Sequence, residues 1–524
     1  MDYKWRALAI VSIGSLMGAI DGSVLIIAFP EIARDLQASL VSMVWILMIY
    51  ILMGTALVLS LGRIADMKGR KRLYNAGFVV FVLGSALCAI AQSGWELVAY
   101  RGIQGIGGAM LIANSFAILS DAFPPNERGH AFGIISVVWG SGAIVGVVLG
   151  GLILSITSWR WIFWINVPIG IVGTVLAYLV LRESVTPNPK DTFDLPAAIL
   201  FTAALASFLV GITEGILTSW TSPPTLIPLL LGIPLLAGFV VWELRVSRDP
   251  ILPFGLFRSW LFSASLASSV LQGIAIFSVN FLLMIYFLGI RGISVLTAAY
   301  LLVPLSLTLS LLGPFGGRLS DRYGARIIST VGLLIQAAAL LLFATITAGT
   351  PLAVVGIYEA LMGVGGGLFF PANTSAIMSG IPRGQYGVGS GVMMTLRNSA
   401  MALSYAVGLI ALTSQLPSGT GAILFGGSFG QALTQLGMTP AQLGSIFLRG
   451  MSSAFLLAAV LVFIAATFSV LRGREHREGL DTRTYRPSVR APSRTGPSRG
   501  TAVPPAGPTA RPTNRGENAQ GLPR

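Results

Sequence analysis

Fourteen apolar runs, each about the 20 residues that a helix needs to cross a bilayer, govern what this chain can fold into. They fall near residues 7–30, 41–62, 73–93, 95–120, 130–155, 161–181, 196–216, 226–246, 260–288, 294–316, 327–348, 352–378, 386–412 and 450–471. Lipid offers no partner to a bare peptide group, so runs of this length predict helices and an all-α polytopic membrane fold. Only 10% of the residues are charged, against about 25% in soluble domains. The charges also fall unevenly. Lys4, Arg6, the 63–72 run, Arg128, Arg182, Lys190, Arg245, Arg248, Arg258, Arg318, Arg322, Arg326 and Arg383 fall on one side of this map, and Arg34, Arg160, Arg291 and Arg449 on the other. That asymmetry places both termini in the cytoplasm of a multi-pass cell-membrane protein. It also explains the net charge of +14 without a nucleic-acid partner.

The basic loop after the second run occurs twice. Gly62, Arg63, Asp66 and Gly69 are matched by Gly317, Arg318, Asp321 and Gly324, each at an offset of 255 residues. One offset for four residues marks an internal repeat, a common plan for transporters. It is too long for six helices alone, and the runs near 196–216 and 226–246 fill the difference as an inserted pair. The expected organisation is a six-helix half (1–182), a linker with two inserted helices (183–258), a second six-helix half (259–471) and a basic tail (472–524). The tail, rich in Arg, Pro, Ser and Thr, cannot bury enough apolar surface to fold. The stretch 413–446, rich in Gly, Ser, Thr and Gln, reads as an external loop with room for a hairpin or a short amphipathic piece.

Several stretches carry a family resemblance. Gly62 to Arg72 resembles the cytoplasmic loop signature of the major facilitator superfamily, Gly-x-x-x-Asp-x-x-Gly-Arg-Arg/Lys. The second copy has Ala325 where the first has Arg70. Leu16 to Pro30 is similar to the first-helix signature of the fourteen-helix drug:proton antiporters, with Asp21, Ala28 and Pro30 kept and Ile26 in place of an Asn. Arg101 to Ala109 matches Arg-x-x-Gln-Gly-x-Gly-x-Ala at every fixed position, Gln104 included. Gly142, Gly146, Gly150 and Gly151 resemble the antiporter motif of the fifth helix, but Val147 replaces its Pro. Trp159 to Gly170 resembles the aromatic run that enters the sixth helix. The resemblance covers roughly residues 5–471 and implies a major facilitator fold with fourteen helices arranged 6+2+6. It implies a cytoplasmic gate at Gly62, Asp66, Gly69, Arg70 and Asp321, and a proton-linked role for Arg101.

Charges inside membrane helices are expensive and mark functional positions. Asp21, Arg101, Glu359 and Arg397 are such charges. With Gln104 they form the candidate proton and substrate site, and Asp21 and Glu359 lie at similar depth in opposite halves. A structural Arg397–Glu359 pair is the plainer alternative. The glycines of the fifth helix are read as a packing seam. Cys88 stands alone, and His130 and His476 fall outside the runs' interiors, so no metal site, cofactor or catalytic triad is expected and the chain reads as no enzyme. The expected function is export of small amphipathic, cationic compounds in exchange for protons by alternating access, as a monomer. Transport of an anionic metabolite or lipid-like substrate through Arg101 or Arg397, or a sensor role, are the alternatives.

Overall fold

The computed structural model describes residues 2–185, 192–217, 221–413 and 439–473. The chain is all helix among these. The first set comprises α1 (Tyr3–Asp35), α2 (Leu40–Ala56), α3 (Val58–Lys68), α4 (Arg70–Ala89), α5 (Gly94–Ala122), α6 (Arg128–Ile156), α7 (Trp161–Trp164) and α8 (Asn166–Val180). Two inserted helices follow, α9 (Leu195–Leu217) and α10 (Pro223–Arg245). The last set comprises α11 (Trp260–Ile285), α12 (Val295–Leu301), α13 (Val303–Tyr323), α14 (Ala325–Phe343), α15 (Leu352–Ser379), α16 (Tyr386–Thr413) and α17 (Pro440–Leu471).

Eleven of the described helices are long and apolar enough to cross a membrane, or twelve if the bent pair α2–α3 is one span. Helices α13 and α16 are not among them; α13 holds Arg318, Asp321 and Arg322, and α16 holds Arg397 and many small polar residues. The last helix starts ten residues before the run near 450–471, at Pro440, because Thr439 and Gln442 form a reciprocal cap there. Residues 440–446 are therefore helix rather than external loop. The rest of that loop and the tail from residue 474 lie outside the described residues.

The breaks have local causes. The α2–α3 bend of 44° follows Gly54 and Thr55, whose hydroxyl bonds back to the Ile51 carbonyl at 2.7 Å, a contact that bends helices. The α12–α13 break precedes Pro304, which lacks an N–H and crowds the preceding turn. Both loop glycines sit at positive φ, Gly69 at 114° and Gly324 at 95°, where a side chain is strained. Each thereby turns the chain sharply between two helices.

One apolar core joins the two sets at the end that carries both loop motifs. Phe78, Phe116, Phe132 and Leu59 share it with Ile377, Met378, Val388, Val392 and Met394. Away from that end each set keeps its own core, around Phe163 and Trp159 in the first and around Phe343 and Phe455 in the last. Helices α9 and α10 pack on each other through Gly232 against Phe208 and through Phe201 against Phe239. The Thr202 hydroxyl anchors α9 at the α2–α3 bend, donating to the Ala56 carbonyl at 3.3 Å.

Candidate functional site

Asp21 lies midway along α1 and is 4% exposed. Its carboxylate accepts from Arg101 Nη1 at 2.6 Å, Gln104 Nε2 at 2.8 Å and Asn166 Nδ2 at 3.1 Å. Arg101 also donates to Gln104 Oε1 at 2.7 Å and lies over the Tyr50 ring at 4.4 Å. Asn166 reaches on to Ser85, whose hydroxyl donates to the Phe163 carbonyl. Helical spacing puts Arg101 and Gln104 on one face of α5. The small residues that follow Gln104 let α5 close on α2 and α4: a Cβ on Gly105 would come within 3.0 Å of Met53, and one on Gly107 within 2.4 Å of Phe81. The result is a buried, multiply bonded ion pair wholly inside the first set.

At the loop-motif end the two sets hold each other reciprocally. Asp66, on α3, accepts the backbone N–H groups of Gly387 at 2.9 Å and Val388 at 2.8 Å, at the start of α16. Asp321, on α13, accepts those of Gly129 at 2.9 Å and His130 at 2.8 Å, at the start of α6. Each carboxylate caps a helix of the opposite set, where unsatisfied N–H groups and the positive dipole end favour an anion. Glycines make the approach possible. A Cβ on Gly62 would stand 2.3 Å from the Gly387 carbonyl oxygen, and one on Gly317 2.1 Å from that of Gly129. Arg70 ties the first cap down, bonding Asp66 Oδ1 through Nε at 3.0 Å, and also Asp121 and the Arg383 carbonyl. Tyr386 is held between two guanidiniums, with Arg70 at 5.5 Å and Arg128 at 5.1 Å from its ring, and its hydroxyl receives Arg128 Nη2 at 2.8 Å. This end of the molecule is closed. Gly69 abuts Glu183 instead of the other set.

The charges of the last set are arranged differently. Glu359, on α15, is 0% exposed. Neither of its oxygens finds a hydrogen-bonding partner of good geometry; the Leu305 backbone, in the first turn of α13, is the polar group on its side. Arg397, on α16, is half-buried and lies over the Phe370 ring at 4.4 Å. The alternative of a structural Arg397–Glu359 pair does not form: the arginine turns to an aromatic face of α15, and no described carboxylate meets it. Asp21 and Glu359 are not brought together either, because Asp21 is enclosed by its own set.

The α6 glycines form a seam with α1. A Cβ on Gly142 would meet Ala19 at 2.7 Å, and one on Gly146 would meet Ser23 Oγ at 2.0 Å, while Gly150 is in ordinary contact with Val24 and Ile27. Gly151 is off the seam, facing open space, because a neighbour of Gly150 points about 100° away on a helix. Asn166, Tyr50, Asp121, Arg128 and Tyr386 carry no site role in the sequence reading. Asn166 sits in the aromatic run before α8, and Tyr386 opens α16; neither type announces itself there.

Bundled apolar helices, with charged groups held inside the bundle and a closed joint between two sets, are the plan of a multi-pass membrane protein, and the comparisons make it a transporter. Residues 11–405 match the Major Facilitator Superfamily, and the chain belongs to that family. It is 33% identical over 408 residues to the riboflavin transporter RibZ of Clostridioides difficile, covering 78% of this chain and 88% of that one. It is 26% identical to the tetracenomycin C resistance and export protein of Streptomyces glaucescens, covering 93% of each. It is 28% identical to the multidrug transporter protein MdtP of Bacillus subtilis, covering 72% of this chain and 69% of that one. Its fold resembles that of the human organic anion transporter MFSD10, with a TM-score of 0.61 at 16% identity, covering 89% of this chain and 99% of that one.

Proposed function

We propose that this transporter exports small amphipathic compounds in exchange for protons, and that Glu359 is the group that carries the proton. The observation behind this reading is the solitary burial of Glu359. A carboxylate with no partner in a low-dielectric interior is costly as an anion and tolerable when protonated. An acid that gains a proton on one side and loses it on the other can return the carrier to its starting face. Resistance and export proteins among the relatives support the outward direction. Alternating access follows from the closed joint: opening it requires Asp66 and Asp321 to release the opposite set. With the basic loops in the cytoplasm, the closed end faces the cytoplasm and fourteen crossings arise when α13 and α16 are counted as spans.

For a cationic substrate, Asp21 would have to surrender Arg101, Gln104 and Asn166. That carboxylate is better placed to fix α1, α5 and α8 than to receive a ligand. In proteoliposomes with a pH reporter inside, addition of a substrate panel spanning ethidium, chloramphenicol and fluorescein should produce proton movement that Glu359→Gln abolishes. Proton movement that survives Glu359→Gln would refute this assignment.

A further inference from the structure

We infer that Arg397 and Phe370 form the seat for the acidic group of an anionic aromatic substrate, an inference that rests on the transport reading above and names its substrate class. Arg397 lies ten residues beyond Gly387, about 15 Å into α16 from the closed joint. Its guanidinium sits against Phe370, and Phe370 packs edge-on to Phe116 of the opposite set at 6.4 Å, which in turn lies beside Phe132 at 5.6 Å. Six residues before Arg397, Gly391 abuts the backbone of Leu59 on α3. Thr395 reaches the Thr55 carbonyl on α2 at 3.4 Å. The arginine therefore stands at the boundary between the two sets and not on the lipid face.

A guanidinium presents five donors. No described residue accepts any of those of Arg397, and no described carboxylate pairs with it. Arg101, Arg70 and Arg128 each satisfy several donors in the same bundle. None of the nitrogens of Arg397 is among the sealed, unpartnered buried atoms, a group that does include Nε of Arg63. It is thus a half-buried cation inside the bundle with donors to spare. Such a charge is tolerated where it borders water, and its planar fork suits a carboxylate or sulfonate bidentately. The half-buried ring of Phe370, backed by the buried rings of Phe116 and Phe132, supplies an apolar aromatic face for the rest of the ligand. Cationic compounds meet like charge here and are disfavoured. An anion leaving a cell that is negative inside gains about 2.3 kcal/mol per charge for each 100 mV, so the potential and proton exchange would drive it the same way.

The test uses a matched pair of probes that differ by one sulfonate: 8-anilinonaphthalene-1-sulfonate and neutral N-phenyl-1-naphthylamine, with ethidium as the cation. Binding is measured by equilibrium dialysis on the full-length protein in nanodiscs, subtracting empty nanodiscs. The wild type should bind the sulfonate at least tenfold more tightly than the neutral probe and ethidium least. Arg397→Gln should erase that preference while leaving neutral-probe affinity within about twofold, and Arg397→Lys should keep part of it. Circular dichroism and gel filtration confirm that each variant is folded. A wild type that binds the sulfonate no better than the neutral probe overturns the inference, as does an Arg397→Gln protein with the preference intact. Proton movement driven by the neutral probe is followed in parallel. Its loss in the wild type would count against the transport mechanism, whereas its survival with an unchanged anion preference in Arg397→Gln would count against Arg397 alone.

Discussion

Neutralising Asp66 should open the closed joint without unfolding the protein. In Asp66→Asn one amide oxygen can still accept from Gly387 or Val388, but the amide nitrogen then faces the other N–H as a donor. The substitution weakens one charge-assisted bond, removes another and loses the ion pair to Arg70. Bonds to charged groups contribute about 1.5–3 kcal/mol each and an N-cap about 0.5–2 kcal/mol. Partial retention leaves a loss of about 2–3 kcal/mol, a shift of about 30- to 150-fold toward the open joint. Arg70 keeps Asp121 and the Arg383 carbonyl, so no unpaired buried charge is created. Spin labels at Lys68→Cys and Gly384→Cys, both exposed positions on opposite sets, report the separation by pulsed dipolar spectroscopy in a Cys88→Ser background. The long-distance population should grow in Asp66→Asn and again in Asp66→Asn/Asp321→Asn. Superimposable distance distributions for wild type and Asp66→Asn would refute the latch argument, whatever happened to transport.

Asp21→Asn leaves Arg101 buried without its counter-charge, which costs about 3–5 kcal/mol; thermal unfolding in detergent should shift sharply downward, and Asn166→Ala should do so only mildly. Gly146→Val places methyl groups into Ser23 across the α1–α6 seam, where overpacking costs about 1–3 kcal/mol, while Gly151→Val should be silent in the same melt. At the far end, Asp35 is held below the usual carboxylate range by its bonds from Arg160 and from the Trp159 indole. That tie is complete above the unfolded value near 4 and is lost only as pH falls through the lower folded value, so Trp159 emission should be flat from pH 5 to 8 and change below.

The helices were legible in the sequence because lipid leaves so few ways to satisfy a backbone: runs of apolar residues have little choice but to be helices. The loop repeat was legible because glycine at positive φ and a capping carboxylate have few substitutes. Gly69 and Gly324 share the turn, and Asp66 and Asp321 share the cap, 255 residues apart. Partnership was not legible. Nothing in the spacing says that Arg101 turns to Asp21 while Arg397 turns to Phe370, since both read as isolated charges in apolar runs. Nor does sequence reveal that Asn166, distant from Asp21 along the chain, completes its hydrogen bonds, or that Tyr386 fills the gap between Arg70 and Arg128. Those contacts depend on which helices become neighbours. Gly151 points away from the α1 contact for a simpler reason: adjacent helical residues point about 100° apart.

The internal repeat allows one further comparison, between the two buried networks. Gly105 packs against Tyr50 and Met53, and Gly363 packs against Leu305 and Thr308. Residues 50 and 305, and 53 and 308, keep the loop offset of 255, while 105 and 363 differ by 258. Helix α15 is therefore the counterpart of α5 with three residues gained before it, and Glu359 occupies the position of Arg101. Trp260 of α11 matches Trp5 of α1 at 255, which puts Ile276 at the place of Asp21. The first set fills this pair of positions with an acid and a base that neutralise each other. The last set fills it with an isoleucine and an acid that no described base meets. Electrostatics thus separates the roles of two similar scaffolds. A neutralised, hydrogen-bonded pair resists changes of protonation, because losing either charge strands the other. A solitary acid has no such restraint, and its charge answers to whatever water, proton or ligand reaches it. Replacing Ile276 with Lys would extend the first set's logic to the last. If Glu359 works by changing its charge, that substitution should hold it ionised and stop proton movement while the fold survives, and proton movement at the wild-type rate in Ile276→Lys would place the coupling elsewhere.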